Sequence, residues 1–99
     1  MTLPVVLHEL AEAELNEAAA YYARARPGLG EAFLAEVQRA VDALAASSYS
    51  GMEVEKGVRW WLVSRFPYSV LYRVRDDNIR VLAIAHHKRR PFYWRARRG

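Results

Sequence analysis

The chain contains no cysteine among its 99 residues. Disulfide bonds, zinc sites built from thiolates and cysteine nucleophiles are therefore excluded, and a reducing compartment is permitted. Histidine is scarce too, with three residues in the chain. Neighbouring residues of an extended chain point to opposite sides, so His86 and His87 are poorly placed to bind one ion. The sequence predicts no metal site and no cofactor.

Long apolar runs are also missing. No stretch approaches the roughly 20 apolar residues that a membrane-spanning helix needs. Residues 1–7 lack the basic flank and the long apolar segment of a secretory signal. We therefore expect a cytoplasmic protein with no membrane partner. The length of 99 residues and the hydrophobic content of 53% suit a single domain over residues 1–99.

Acidic residues are scarce in the second half of the chain. Residues 1–50 carry three basic and seven acidic residues, whereas residues 51–99 carry twelve basic and four acidic residues. The overall net charge of +4 therefore hides a strongly basic C-terminal half. This distribution suits an anionic partner such as nucleic acid or an acidic protein, although a solvated charged surface needs no partner.

Apolar spacing predicts two helices in the first half. The first stripe consists of Ala11, Leu15, Ala18, Tyr22 and Ala25, and the second consists of Phe33, Val37, Ala40, Val41 and Leu44. Their intervals of mostly three or four residues predict helices over about residues 9–26 and 31–47. The segment from Pro27 to Gly30 separates them, because proline lacks an amide donor and glycine permits positive φ.

The rest of the chain has strand patterns. Residues 3–8 and 58–63 are rich in β-branched and aromatic side chains, whereas residues 68–75 alternate and residues 79–85 return after a polar turn. The predicted order is β-α-α-β-β-β. This is an α+β fold in which an N-terminal helical hairpin packs on one face of a small, mainly antiparallel, twisted sheet. We expect the other face to be partly open to solvent.

The stretch AIAHHKRRPFYW, residues 83–94, contains the most varied chemistry in the sequence. Cleavage of RNA by its own 2′-hydroxyl needs a proton acceptor, a proton donor and cations that stabilise charge at phosphorus. The candidates for these roles are His86, His87, Arg89 and Tyr93. Spacing alone does not show that they converge. A basic segment whose aromatic side chains pack back onto the sheet explains the same pattern.

Direct reading of a DNA sequence is not predicted. Both helices use their apolar sides for the core and carry acidic residues on the other side, so neither suits a recognition helix. The basic residues near the C-terminus would still give a salt-dependent affinity for phosphate. Phe92, Tyr93 and Trp94 could stack on single-stranded bases, but adjacent aromatic residues after a proline more often anchor a chain terminus.

Four segments, in this order, resemble the RelE/ParE superfamily of small bacterial toxins, which includes proteins labelled plasmid stabilisation proteins. They are AEAELNEAAAYY (11–22), PGLGEAFLAEV (27–37), RFPYSVLY (65–72) and IRVLAIAHHKRRPFYW (79–94). The resemblance implies the toxin of a type II toxin–antitoxin module. Such a toxin is neutralised by an antitoxin whose disordered C-terminal segment, here expected to be acidic and apolar, folds on binding.

The superfamily divides by target. RelE-type members cut mRNA on the ribosome and carry basic side chains on central strands, where this chain has Trp60, Leu62 and Ser69. Arg89 and Tyr93 nevertheless lie near the C-terminal arginine and tyrosine of those nucleases. The chain is more similar to the ParE type around RFP, SVLY and IAHHKRRP, and ParE-type toxins inhibit DNA gyrase.

The resemblance therefore implies a basic face that docks on the target or on the antitoxin. This face is expected to contain Arg59, Arg65, Lys88, Arg89, Arg90 and Trp94. Three hypotheses stay open on sequence alone: a gyrase inhibitor, a metal-independent, ribosome-dependent endoribonuclease, and an inert homologue that still binds an antitoxin. Whether the protein is an enzyme is open at this point.

Overall fold

The two helices form a hairpin between the first strand and the remaining strands. A computed structural model describes residues 2–98. The elements are β1 (Val5–Leu7), α1 (Glu9–Ala25), α2 (Leu29–Ala46), β2 (Met52–Glu55), β3 (Val58–Leu62), β4 (Tyr68–Val74), β5 (Ile79–His86) and a 3₁₀ turn (Arg95–Arg97). The α+β class and the helical hairpin packed on a mainly antiparallel sheet are confirmed.

The sheet contains one strand more than the predicted order. Met52–Glu55 forms β2 and pairs antiparallel with β3 through a tight turn at Gly57, which has a φ of 81°. The amide of Gly57 donates to the carboxylate of Glu53 at 3.1 Å and closes this turn. The strand escaped prediction because it is only four residues long and two of the four are glutamates, which are uncommon in strands.

The strands lie in the order β1-β5-β4-β3-β2. β1 runs parallel to β5, and all other pairs are antiparallel. The helical hairpin carries the chain from β1 at one edge of the sheet to β2 at the opposite edge. A register shift in the pairing of β4 with β5 leaves Leu82 as an extra residue between Val81 and Ala83. This bulge lies between two inner strands of the sheet, and the carbonyl of Leu82 accepts a hydrogen bond from Arg97 of the C-terminal segment.

The helical hairpin depends on close contact at its turn. His8 caps α1, since its Nδ1 accepts a hydrogen bond from the amide of Leu10 at 3.0 Å. Gly28 turns the chain with a φ of 83°. At Gly30 a Cβ atom would lie 2.6 Å from the carbonyl oxygen of Ala19, so only glycine lets the helices approach this closely.

The sheet has a core on each of its two faces. On the helix face, aromatic rings from α1, α2 and the β3–β4 loop pack edge to face; the rings of Phe33 and Phe66 are 5.2 Å apart at 86°. On the opposite face, here the tail face, the chain after β5 folds back and buries Trp94 against Val58, Leu71 and Leu82. The C-terminal segment thus covers the centre of the face that the sequence predicts to be partly open to solvent.

Candidate functional site

The chain leaves β5 through three consecutive cations, Lys88, Arg89 and Arg90, here named the cationic turn. Backbone hydrogen bonds fix its start: the amide of His87 donates to the carbonyl of Pro67 at 2.9 Å, and the amide of Arg89 to that of His86 at 3.0 Å. All three cations are exposed. Within residues 2–98 none of them forms an ion pair with a carboxylate. Their charge is therefore available to an anionic partner.

A cleft of about 320 Å³ lies beside the cationic turn on the tail face. Trp60 and Leu71 line it from the sheet, and Pro91, Phe92 and Trp94 line it from the C-terminal segment. His86, His87, Arg89 and Tyr93 line it as well, so the structure brings the four candidate nuclease residues together around one cleft. The lining residues include no aspartate or glutamate. The cleft is thus apolar with a cationic rim.

The two histidines already have partners. The Nδ1 of His86 accepts a hydrogen bond from the amide of Lys88 at 3.0 Å, and its ring packs edge-on against Tyr68 with centroids 5.0 Å apart. His87 points the other way, and its Nε2 lies 2.9 Å from the hydroxyl of Ser69. Among residues 2–98 no three His, Cys, Asp or Glu side chains are grouped as metal ligands would be.

Tyr93 is held as a hydrogen-bond donor. Its hydroxyl donates to the Oε2 of Glu14 at 2.8 Å. Burial, reinforced by this hydrogen bond and by the negative charge of Glu14, raises the pKa of Tyr93 far above its ordinary value of 10.0. The hydroxyl therefore stays protonated at neutral pH. The guanidinium of Arg89 stacks on the same ring, 3.9 Å from the centroid.

Three other members of the predicted basic face lie elsewhere or are buried. Arg59 points to the helix face, where its Nη1 donates to the carbonyls of Tyr49 and Gly51 at 3.0 and 2.8 Å. Arg65 forms an ion pair with Glu36 of α2 at 3.5 Å. Trp94 is 4% exposed. The six residues do not form one surface, because strand alternation and core packing separate them; the part that lies together is the cationic turn.

The C-terminal segment is anchored by acidic residues that the sequence did not reveal as site residues. Arg97 forms an ion pair with Glu14 of α1 at 2.9 Å. Arg95 and Arg98 both pair with Glu55 of β2, the Arg95 pair at 2.9 Å. One sequence signal could have identified Glu14: it lies three residues after Ala11 and four before Ala18, on the apolar side of its helix.

No helix of the described part of the chain combines the length and the apolar character needed to cross a membrane. A search of curated proteins finds no match. A search of solved structures finds a chain described as "Chromosomal ParDE TA system from P. aeruginosa". The two chains share 23% sequence identity and a TM-score of 0.69, and the alignment covers 86% of this chain and 96% of that chain. This likeness establishes a common fold.

The family comparison covers most of the sequence. Residues 5–91 match the family described as "ParE toxin of type II toxin-antitoxin system, parDE". The matched range contains the helical hairpin, all five strands and the cationic turn. The chain belongs to the ParE toxin family of type II toxin–antitoxin systems.

Proposed function

We propose that this ParE-family toxin inhibits DNA gyrase by docking through the cationic turn, and that a cognate antitoxin neutralises it. The observation that carries the proposal is the state of the cleft beside the turn. Its candidate acid and base groups are engaged in internal hydrogen bonds, whereas the three cations of the turn are exposed without carboxylate partners in the described chain. This arrangement favours binding of an acidic surface over cleavage of RNA.

The endoribonuclease alternative needs a group that takes a proton at neutral pH and another that returns one. Tyr93 is a poor proton acceptor because its pKa is raised and its hydroxyl already donates to Glu14. His87 faces Ser69, and the nitrogen Nδ1 of His86 is occupied by the amide of Lys88. These internal roles argue for a docking surface, in which the same residues hold the turn in shape.

The antitoxin proposal has a separate basis. The solved structure with the same fold is described as a ParDE system, which supports an antitoxin partner here as well. An apolar groove of about 470 Å³ lies between the helical hairpin and the edge strand β1, lined by Leu3, Leu15, Leu34 and Val41 among others. We infer that an apolar segment of the antitoxin occupies this groove.

The test is a supercoiling assay with purified gyrase, run beside a translation reaction programmed with a defined message. We expect the toxin to abolish supercoiling or trap cleaved DNA while the message stays intact. Ribosome-dependent cuts in the message with unaffected gyrase would overturn the proposal and assign the cleft to RNA cleavage. Intact message and intact gyrase, together with normal growth on overexpression, would identify an inert homologue.

The docking surface is tested by charge reversal. The double substitution Arg89→Glu and Arg90→Glu should abolish gyrase inhibition without unfolding the protein, because both side chains are exposed. The matched control is Arg24→Glu with Arg26→Glu, which makes the same charge change at exposed positions of the helical hairpin. Equal inhibition by both double variants would show that net charge matters and the turn does not.

A further inference from the structure

A single carboxylate on α1 holds the C-terminal segment. Glu14 accepts four hydrogen bonds: from the amide of Ile84 at 3.1 Å, from the hydroxyl of Tyr93 at 2.8 Å, and from Nη1 and Nη2 of Arg97 at 2.9 and 3.1 Å. Its side chain is 14% exposed and that of Arg97 is 11% exposed. The pair is thus the most enclosed of the ion pairs that anchor the tail.

The location of this pair follows from the length of β1. β1 is only three residues long, and its pairing with β5 ends where the amide of His8 donates to the carbonyl of Val81. Beyond that point no strand of residues 2–98 lies beside β5 on the β1 side. Glu14 takes the amide of Ile84, and Arg97 donates to the carbonyl of Leu82 in the bulge at 3.1 Å. The pair therefore satisfies backbone groups that a longer β1 would have paired.

Tyr93 connects this pair to the cationic turn. While its hydroxyl is held by Glu14, two guanidinium groups lie over its ring, that of Arg89 at 3.9 Å and that of Arg97 at 5.1 Å from the centroid. The amide of Tyr93 also donates to the carbonyl of Arg90 at 3.3 Å. A continuous set of contacts thus runs from α1 through Tyr93 to two of the three exposed cations, to Arg89 through the ring and to Arg90 through the backbone.

We propose that Glu14 is a positioning residue for target binding. It fixes Tyr93 and Arg97, and through them it holds the cationic turn in one arrangement although it touches none of the three cations. The inference rests on the proposed docking role of the turn. Its structural part, that Glu14 anchors residues 87–98, can be measured independently of any target.

The experiment compares Glu14→Gln with Glu12→Gln, the same substitution at an exposed position two residues earlier on α1. Hydrogen exchange should rise by about tenfold or more in residues 87–98 of Glu14→Gln, because an enclosed arginine loses its counter-charge, and should stay unchanged in Glu12→Gln. The toxin concentration that gives half-inhibition of gyrase should rise by about tenfold or more for Glu14→Gln only. A tenfold fall in the fraction of molecules whose cationic turn is held in the binding arrangement produces a change of this size.

A core variant separates positioning from loss of stability. Leu44→Ala removes a fully buried side chain of α2 away from the turn, and it should leave inhibition per folded molecule unchanged. The two variants are compared under conditions in which their free energies of unfolding are reduced equally. If Leu44→Ala then weakens gyrase inhibition as much as Glu14→Gln does, Glu14 has no positioning role. If Glu14→Gln does not fold, Tyr93→Phe replaces it, since this change removes one hydroxyl and keeps the ring on which Arg89 stacks.

The outcomes also separate this inference from the proposed function. Unchanged exchange in residues 87–98 of Glu14→Gln would overturn the positioning role whatever the target. Faster exchange with normal gyrase inhibition would overturn it as well, because the turn would then work without being held. If the unsubstituted toxin does not inhibit gyrase but does arrest growth, the proposed target fails, and growth arrest by the same variants replaces gyrase as the readout.

Discussion

The two faces of the sheet are held by different forces. On the helix face, α1 and α2 bury a continuous apolar core, with Phe33 and Leu44 fully enclosed. On the tail face, one buried tryptophan is accompanied by ion pairs from Glu14 and Glu55 to three arginines of the C-terminal segment. Apolar packing gives the first face its stability, whereas charged contacts between distant parts of the chain give the second face its shape.

The helix face therefore determines the stability of the fold, whereas the tail face carries the proposed docking surface. The helix face tolerates few substitutions, because its apolar side chains are closely packed and a change in the volume of one of them disturbs its neighbours. The tail face carries the cationic turn and the cleft. Because its C-terminal segment buries one large side chain fully, Trp94, we expect this segment to open locally without unfolding the rest. We therefore expect substitutions on the helix face to change global stability, and substitutions on the tail face to change mainly local order and inhibition.

The largest effect is expected from Phe33→Ala. This ring is 0% exposed and packs against Tyr22, Phe66 and Tyr68. Its removal should lower the free energy of unfolding by about 3–5 kcal/mol, the usual range for a buried aromatic residue. Urea denaturation measures this loss, and Leu34→Ala on the exposed side of α2 serves as the control. Similar losses for both variants would contradict the account of the helix-face core.

Trp94→Ala should have a smaller effect on global stability. The indole is buried, but we expect the C-terminal segment to leave the sheet locally, so the loss should be about 2 kcal/mol and below the range for Phe33→Ala. Hydrogen exchange should increase in residues 91–98 and not in the helices. Phe92→Ala, at the more exposed neighbouring ring, is the control. A global loss as large as that of Phe33→Ala would show that the two faces form one cooperative unit.

The smallest effect concerns acid. The hydrogen bond from Arg95, together with the charges of Arg95 and Arg98, holds the pKa of Glu55 below its ordinary value of 4.5. A lowered pKa in the folded state means that this contribution is present above about pH 4.5 and is lost as the pH falls through the folded-state pKa. The difference in melting temperature between the unsubstituted protein and Glu55→Gln should therefore shrink below pH 4.5. A difference that stays constant down to pH 3 would contradict this role.

The sequence predicts the helix face better than the tail face. Both helices follow from apolar stripes at helical spacing, and their observed bounds of 9–25 and 29–46 lie within two residues of those expected. β3, β4 and β5 follow from β-rich or alternating patterns. β2 does not, because it is only four residues long, it contains two glutamates, which are uncommon in strands, and its pairing with β3 determines its conformation.

The candidate site was predicted only in part. A run of cations after a strand identifies the turn, since its residues are contiguous. The partners of the tail could not be found, because Glu14 pairs with a residue 83 positions away and Glu55 with residues 40 and 43 positions away. The position of Arg59 could not be found for the complementary reason: its charge is visible in the sequence, but its hydrogen bonds to two loop carbonyls are not.

The most direct test of the central claim is hydrogen exchange of the toxin alone and in complex with gyrase. The account predicts slower exchange in residues 87–93 of the complex, with no change in α2, because the target should cover the cationic turn. Slower exchange in α1 and α2 with an unchanged turn would contradict it, and would place the target on the face that we assign to the antitoxin.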